Sequence, residues 1–320
     1  SPSMRKVLVA ACALALVLAL PTGAGRAGAA TAGANDLLAL QNQLRFAVGA
    51  PTIPADPRVV SAAQHHAEYS SLNGAGGHFE TPGLPGFTGI APRDRVAAAG
   101  SPAAIVSEVA TGGSDALAAV RQLWDAPYHR LGLMHPNAVT TGWGHADLNG
   151  RSSTVGDLTY DFGIRPVDFV RSPASGQAGI PTSWGGRESP SPLPAGTVGP
   201  VGYPIMVVYS AGQRVEMRAA ELIGPGGARL PIYYAPQQFE YDYQVIVPQR
   251  PLPAATTLHV RFDITVNGVW LTNEWDFTTA GSSGTADSPA SRAAPAGEPG
   301  YHSRWLSETA FPSLKPGATS

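Results

Sequence analysis

Apolar residues recur at helical spacing in the first part of the chain. A stripe of leucines predicts a helix within residues 31–48. Asp56-Pro57, a capping residue followed by proline, opens a second helix that ends before Gly74. Two shorter helices are predicted at residues 93–100 and 114–124. The segment between the second and third helices is rich in glycine and proline, which predicts a loop.

After these helices the apolar pattern changes from helical spacing to alternation. Residues 139–147 and 154–162 predict two strands, and the intervening Leu-Asn-Gly-Arg segment is a hairpin turn signal. Helices followed by an antiparallel hairpin predict an α+β fold, which we assign to residues 31–165.

The remainder of the chain has a different pattern. Seven prolines between residues 164 and 202 predict a Pro/Gly linker over residues 166–202 that packs weakly or extends. Six short alternating segments predict an immunoglobulin-like (Ig-like) all-β sandwich over residues 203–279. The segments are residues 205–209, 215–222, 230–234, 241–247, 257–264 and 270–277. Residues 280–320 are rich in Ser, Ala, Gly and Pro, which predicts a disordered tail.

The first 30 residues have the pattern of a secretory signal peptide. Met4-Arg5-Lys6 precedes an apolar run of 14 residues, which is shorter than the ~20 that a membrane span needs. The single cysteine, Cys12, lies inside this segment. The motif that it ends, Val-Ala-Ala-Cys, loosely resembles a lipoprotein cleavage site, and lipidation is the alternative to simple secretion. We therefore predict a secreted, extracellular protein without a membrane span, whose mature form has no thiol and no disulfide.

The charge content excludes one class of partner. Only 14% of the residues are charged and the formal net charge is −2. Proteins that bind nucleic acid or anionic membranes usually carry a basic patch, and none is visible here. We expect no nucleic-acid partner.

Three short motifs carry candidate chemistry. Residues 120–144 read VRQLWDAPYHRLGLMHPNAVTTGWG, a helix end and a turn carrying His129, followed by a strand. Upstream lie Gly-His-Phe-Glu, with His78, and Ser-Glu-Val-Ala, with Glu108. Together these motifs resemble the CAP superfamily (cysteine-rich secretory proteins, antigen 5, pathogenesis-related 1) in its bacterial, cysteine-poor form. The resemblance implies a CAP-type α-β-α sandwich before the Ig-like sandwich.

The resemblance also implies a cleft formed by His78, Glu108 and His129. Imidazole and carboxylate suit a divalent metal such as Zn²⁺, which His78 and His129 could bind. Without a metal, the same groups form a proton-exchanging pair. The sequence departs from the family at Val109, where Asn is usual, and it offers only Asp125 as a candidate for the family's second glutamate.

Each candidate residue also has a structural interpretation. His129 could cap the preceding helix, His78 could be a surface residue of its loop, and Glu108 could be solvated near a helix. His66 is interpreted as a half-buried core residue of its helix. The chain has no G-x-S-x-G and no H-E-x-x-H motif, so neither a hydrolase-fold serine nor a zincin protease is indicated.

Three functional hypotheses follow. The first is a non-enzymatic extracellular binding protein that holds a small ligand, such as a lipid, or a divalent metal in the His/Glu cleft, and that contacts a cell-surface component. The second is an extracellular hydrolase that acts on peptide or cell-wall material through a His-Glu pair. The third is a structural or adhesive surface module. Whether the protein is an enzyme is left open.

Overall fold

The computed structural model describes residues 32–286. The predicted signal peptide with Cys12, and the tail beyond residue 286, lie outside the described residues. The described residues contain five α-helices: α1 (Ala34–Ala47), α2 (Pro57–Asn73), α3 (Pro92–Ala98), α4 (Ala116–Asp125) and α5 (Pro127–Met134). Their strands are β1 (Val106–Gly112), β2 (Ala138–Leu148), β3 (Arg151–Tyr160), β4 (Phe169–Ser172), β5 (Ser183–Trp184), β6 (Val201–Gly202), β7 (Ile205–Tyr209), β8 (Val215–Ile223), β9 (Arg229–Leu230), β10 (Ile232–Tyr234), β11 (Tyr243–Pro248), β12 (Thr257–Val266), β13 (Val269–Thr278) and β14 (Thr285–Ala286).

Helices α1 to α4 lie where the apolar spacing predicts them, but the fifth helix was not predicted. The segment around His129, expected to be a turn, forms α5, with Pro127 at its first position. Ala126 is extended (φ −84°, ψ 121°) and separates α4 from α5. The residue before a proline disfavours the helical region, and proline suits the first turn of a new helix.

The first sheet, in the order β1-β3-β2, is antiparallel and packs against α2. Two glycines of β2 allow this close approach. A Cβ atom on Gly142 would lie 2.2 Å from the backbone nitrogen of Val60, and one on Gly144 would lie 2.4 Å from the Cα atom of Gln64. Only glycine fits at these two positions, because a side chain would clash with α2. The absence of side chains there lets α2 lie directly on the backbone of β2.

The later strands form two four-stranded antiparallel sheets and one small sheet. Their orders are β10-β11-β7-β4 and β13-β12-β8-β9, and the small sheet is β14-β5-β6. Buried residues of the two larger sheets belong to one continuous apolar core, as in a sandwich of sheets. The mixed α and β composition agrees with the predicted class, while the Ig-like assignment stays a prediction.

Residues 166–202 differ from the expected weakly packed linker. They contribute β4 to a four-stranded sheet, and β5 and β6 to the small sheet. The side chain of Trp184 is fully buried, and Leu193 also belongs to the apolar core. Isolated apolar anchors among prolines have no periodicity, so the sequence pattern does not reveal their packing. The first residues of the predicted tail are also ordered, because β14 pairs with β5.

Buried polar contacts join α5 and its C-terminal end to the β-rich part. His135 Nε2 lies 2.8 Å from Asp242 Oδ2, and the Tyr128 hydroxyl donates to the carbonyl of Pro236 at 2.6 Å. Arg130 donates to the carbonyl of Pro204 at 2.9 Å. The predicted domain boundaries stay a prediction, but residues 32–286 lie within one compact unit. Among these residues, no helix has the length and apolarity needed to span a membrane.

Candidate functional site

The structure brings two of the three predicted site residues into direct contact. His78 Nδ1 lies 2.7 Å from Glu108 Oε1, although their motifs are 30 residues apart in the chain. His129 Nδ1 contacts Glu188 at 2.6 Å, and the imidazole of His129 is near enough to His78 to lower the pKa of His78. All three predicted residues are buried. The surface and solvated interpretations of His78 and Glu108 therefore do not hold.

Strand β1 holds Glu108 in an almost fully buried position, and α3 supplies the cation that stabilises it there. Arg95 donates from Nη2 to Glu108 Oε2 at 2.7 Å, so the two carboxylate oxygens bind different partners. Burial opposes ionisation of Glu108, but the charge of Arg95, the nearby His66 and the hydrogen bond from His78 outweigh it. The pKa of Glu108 consequently lies well below its usual range, and the group is a carboxylate at neutral pH.

The ionised Glu108 fixes the tautomer of His78. A carboxylate only accepts hydrogen bonds, so His78 must donate from Nδ1. Burial lowers the pKa of His78, Glu108 opposes this, and the neighbouring His66 and His129 lower the pKa further, so that the overall shift is downward. At neutral pH His78 is therefore a neutral imidazole with its lone pair on Nε2.

A second histidine-carboxylate pair, missed by the sequence analysis, lies directly beside the first. His66 Nδ1 is 2.9 Å from Glu80 Oε1, and its Nε2 is 3.0 Å from the carbonyl of Gly77. Glu80 also accepts from the backbone N–H of Thr88 at 2.6 Å. Burial opposes ionisation of Glu80, but His66, Thr88 and Arg95 bring its pKa below the usual value.

His66 was interpreted as a half-buried core residue, but it is fully buried and lies 3.5 Å from Glu108 through Nε2. The available signal was a histidine on the apolar stripe of α2 and a glutamate two positions after His78. From the sequence alone, neither His66 nor Glu80 indicates that the other is its hydrogen-bond partner, because only folding brings the two side chains together.

Asp157 adds a third buried carboxyl group, directly opposite Glu108 in the ladder between β1 and β3. Its side chain is fully buried and no donor reaches either carboxyl oxygen. Burial, and then the charge of Glu108, raise its pKa well above the usual value. The raised pKa of Asp157 favours its protonated form, while Glu108 carries the negative charge of the pair.

His129 is held from outside the helical part of the chain. The backbone N–H groups of Tyr128 and His129 donate to the Glu188 carboxylate at 2.9 and 3.2 Å, and the His129 ring contacts Glu188 Oε2. Glu188 was missed because it follows 59 residues later, in the predicted linker. Asp125, the sequence candidate for a second carboxylate, instead accepts a hydrogen bond from the Tyr203 hydroxyl at 2.5 Å.

These residues do not fit a metal site held by the protein alone. No group of three or more His, Cys, Asp or Glu side chains suited to a metal ion occurs within residues 32–286. Zinc usually takes three or four protein ligands. The oxygens of Glu108 are engaged by Arg95 and His78, and those of Glu188 by α5, so the carboxylates support the imidazoles rather than completing a ligand set.

The comparison with protein families agrees with this architecture. Residues 38–158 match the model of the cysteine-rich secretory protein family, CAP. We call this segment the CAP region; it covers less than half of the chain and contains His66, His78, Arg95, Glu108 and His129. Glu188 lies outside it. No curated protein matches the chain significantly.

Solved structures show only distant likeness. An extracellular protein containing a SCP domain from Bacillus anthracis is 18% identical, with a TM-score of 0.34, and the match covers 40% of each chain. An outer surface protein of Borrelia burgdorferi is 16% identical over 39% of this chain and 90% of its own, with a TM-score of 0.34. CopC from Methylosinus trichosporium is 13% identical over 34% of this chain and 88% of its own, with a TM-score of 0.24.

Proposed function

We propose that the protein is a secreted binding protein whose CAP region holds a small amphipathic ligand at His78, Glu108 and His129. The observation that carries this proposal is the buried chain of contacts from Arg95 through Glu108 to His78. It fixes a neutral imidazole in one tautomer before any ligand arrives. Such a preorganised group recognises a ligand that donates a hydrogen bond, for example a hydroxyl group.

The loop beside the site, residues 84–90, offers apolar side chains that an apolar part of the same ligand could contact. Leu84, Phe87 and Ile90 are between one third and one half exposed, which is unusual for three large apolar side chains in one short segment. The loop is anchored to the site because Glu80 accepts from Thr88 and donates its own N–H to the carbonyl of Ile90 at 2.9 Å. A lipid hydroxyl at His78 with its chain along this loop satisfies both features.

Hydrolysis is the second candidate, because a carboxylate-supported neutral histidine is also the arrangement of a general base. The nearby groups supply fewer partners for catalysis. The hydroxyl of Ser107 is buried and shares a hydrogen bond with Tyr160 at 2.5 Å, and Glu108 is held ionised by Arg95 and so has no proton to donate. Release of product from peptide or cell-wall substrates, lost in His78→Ala, would favour hydrolysis over binding.

The binding proposal is tested with radiolabelled 1-hexadecanol and the full-length protein at pH 7.5. We expect hexadecanol to bind more tightly than palmitate, because the palmitate carboxylate would lie near the ionised Glu108. His78→Ala should weaken hexadecanol binding by about tenfold, the value of roughly one buried hydrogen bond.

His145→Ala is the matched control, because His145 lies on β2 and contacts Thr154 and Asp147 instead of the site. Leu84→Ser tests the loop without touching the buried network, and it should also weaken binding. Equal affinity of His78→Ala, Leu84→Ser and the unaltered protein would contradict the proposal.

A further inference from the structure

Glu188 occupies a position that the CAP region itself leaves unfilled. Helix α5 begins at Pro127, its N-cap residue Ala126 provides no side-chain hydrogen bond, and the N–H groups of Tyr128 and His129 lie in its first turn. The first N–H groups of a helix have no partner within the helix and favour a negative charge. The carboxylate of Glu188 accepts from both, at 2.9 and 3.2 Å, and its side chain is fully buried.

The same carboxylate also binds the ring of His129. Glu188 Oε2 lies 2.6 Å from His129 Nδ1, a short contact typical of hydrogen bonds to a charged group. The carboxylate can only accept, so His129 donates from Nδ1. His129 thus contacts its carboxylate through Nδ1, as His78 does with Glu108.

The segment that carries Glu188 is fixed at both ends. Upstream, the fully buried Trp184 belongs to β5, and downstream β6 pairs with β5. The two ends of the intervening segment lie close together, since a Cβ atom on Gly199 would lie 2.3 Å from the carbonyl oxygen of Gly185. A side chain on so constrained a segment can define the position of its partner.

We infer that Glu188, supplied by the segment after the CAP region, is the positioning residue for His129 in the binding site. The inference rests on the proposed function only for the role of His129 toward the ligand. It means that the site is completed by chain outside the family-matched residues: Arg95 and Glu108 orient one imidazole, and Glu188 orients the other.

The competing explanation is that Glu188 only caps helix α5 and has no role in the site. The variant Glu188→Gln distinguishes this explanation from a positioning role. Glutamine keeps the size of the side chain and an oxygen for the backbone N–H groups, so it should largely rescue a simple cap. It removes the charge and brings an NH₂ group, so it weakens the contact with the His129 ring. The full-length protein, labelled with ¹⁵N in its histidine rings, reports this contact as the Nδ1–H resonance of His129, which is assigned by its loss in His129→Gln.

We expect Glu188→Gln to lose or strongly shift this resonance and to weaken hexadecanol binding about tenfold, the value of roughly one buried hydrogen bond. Asp242→Asn is the matched control, because it alters the buried His135–Asp242 pair, which also joins α5 to the β-rich part. It should leave the His129 resonance and the affinity unchanged.

Two results would overturn the inference: an unchanged His129 resonance in Glu188→Gln, or unchanged affinity despite a lost resonance. If the unaltered protein does not bind hexadecanol, the proposed function fails, while the resonance still decides whether Glu188 positions His129. Thermal unfolding of Glu188→Gln and Asp242→Asn checks that both variants fold. If Glu188→Gln does not fold, Glu188→Asp, which keeps the charge, provides a second test.

Discussion

Replacing Arg95 with Met should expose the energetic cost of the buried carboxylate. Arg95 is almost fully buried, lies 2.7 Å from Glu108 and 3.6 Å from Glu80, and donates to the carbonyls of Gly89 and Ile90. Methionine approximates the length of the side chain without its charge, so packing changes little and the ion pair is lost. Removing one partner of a buried ion pair typically costs about 3–5 kcal/mol, because the remaining charge has no compensation.

The loss should depend on pH in a direction that follows from Glu108. In the unaltered protein the pKa of Glu108 in the folded state is depressed, so its stabilising contribution is present above the unfolded value of about 4.5. Without Arg95, burial should dominate and raise this pKa above the unfolded value. The variant should therefore regain stability as the pH falls from 7.5 to 5, and the difference between the two proteins should narrow.

Urea unfolding followed by tryptophan fluorescence at pH 7.5 and pH 5 gives both free energies of unfolding. Arg165→Met is the control, because the pair between Arg165 and Asp168, at 3.1 Å, is more than half exposed on both sides. Loss of such a pair costs about 0.5 kcal/mol or less. The reasoning is refuted if Arg95→Met loses no more stability than Arg165→Met at pH 7.5, or if its loss is the same at both pH values.

Two further predictions concern the same cluster. The raised pKa of Asp157 means that its stabilising contribution is present at low pH and is lost as the pH rises through the folded pKa. Asp157→Asn should therefore lose less stability than the unaltered protein as the pH rises from about 4, as measured by thermal unfolding against pH; an equal or steeper loss in the variant would contradict this. Zn²⁺ titrated into the full-length protein should bind no more tightly than to a His78→Ala/His129→Ala variant, because two imidazoles without a carboxylate ligand do not complete a zinc site. Calorimetric binding that disappears in the double variant would show that the ligand set is larger than this geometry provides.

Much of the fold was predictable because its signals are local. The stripe of α2, the Asp56 cap and the hairpin between β2 and β3 all depend on residues within a few positions of one another. The family resemblance rests on short motifs of the same kind, and the match over residues 38–158 confirms it at that level. Helix α5 was missed although Pro127 is a known start signal, because the apolar run after it fits a turn followed by a strand equally well.

The candidate site was only partly predictable. His78 and Glu108 were predicted together from their motifs, and they lie in contact. Their charge state was not predictable, because it depends on Arg95 from α3 and on Asp157 from β3. A pKa is set by burial and by charges within a few ångströms, and the sequence specifies neither before the chain folds.

The sequence by itself determined the elements, the motif residues and the chemical types available for the site. Only the tertiary structure decided which carboxylate each histidine would receive: Glu80 for His66, Glu108 for His78 and Glu188 for His129. The physical reason is that a buried hydrogen bond joins whatever groups packing brings within about 3 Å, irrespective of their separation in the chain. For His129 that partner lies in a proline-rich segment whose sequence alone indicated only a linker.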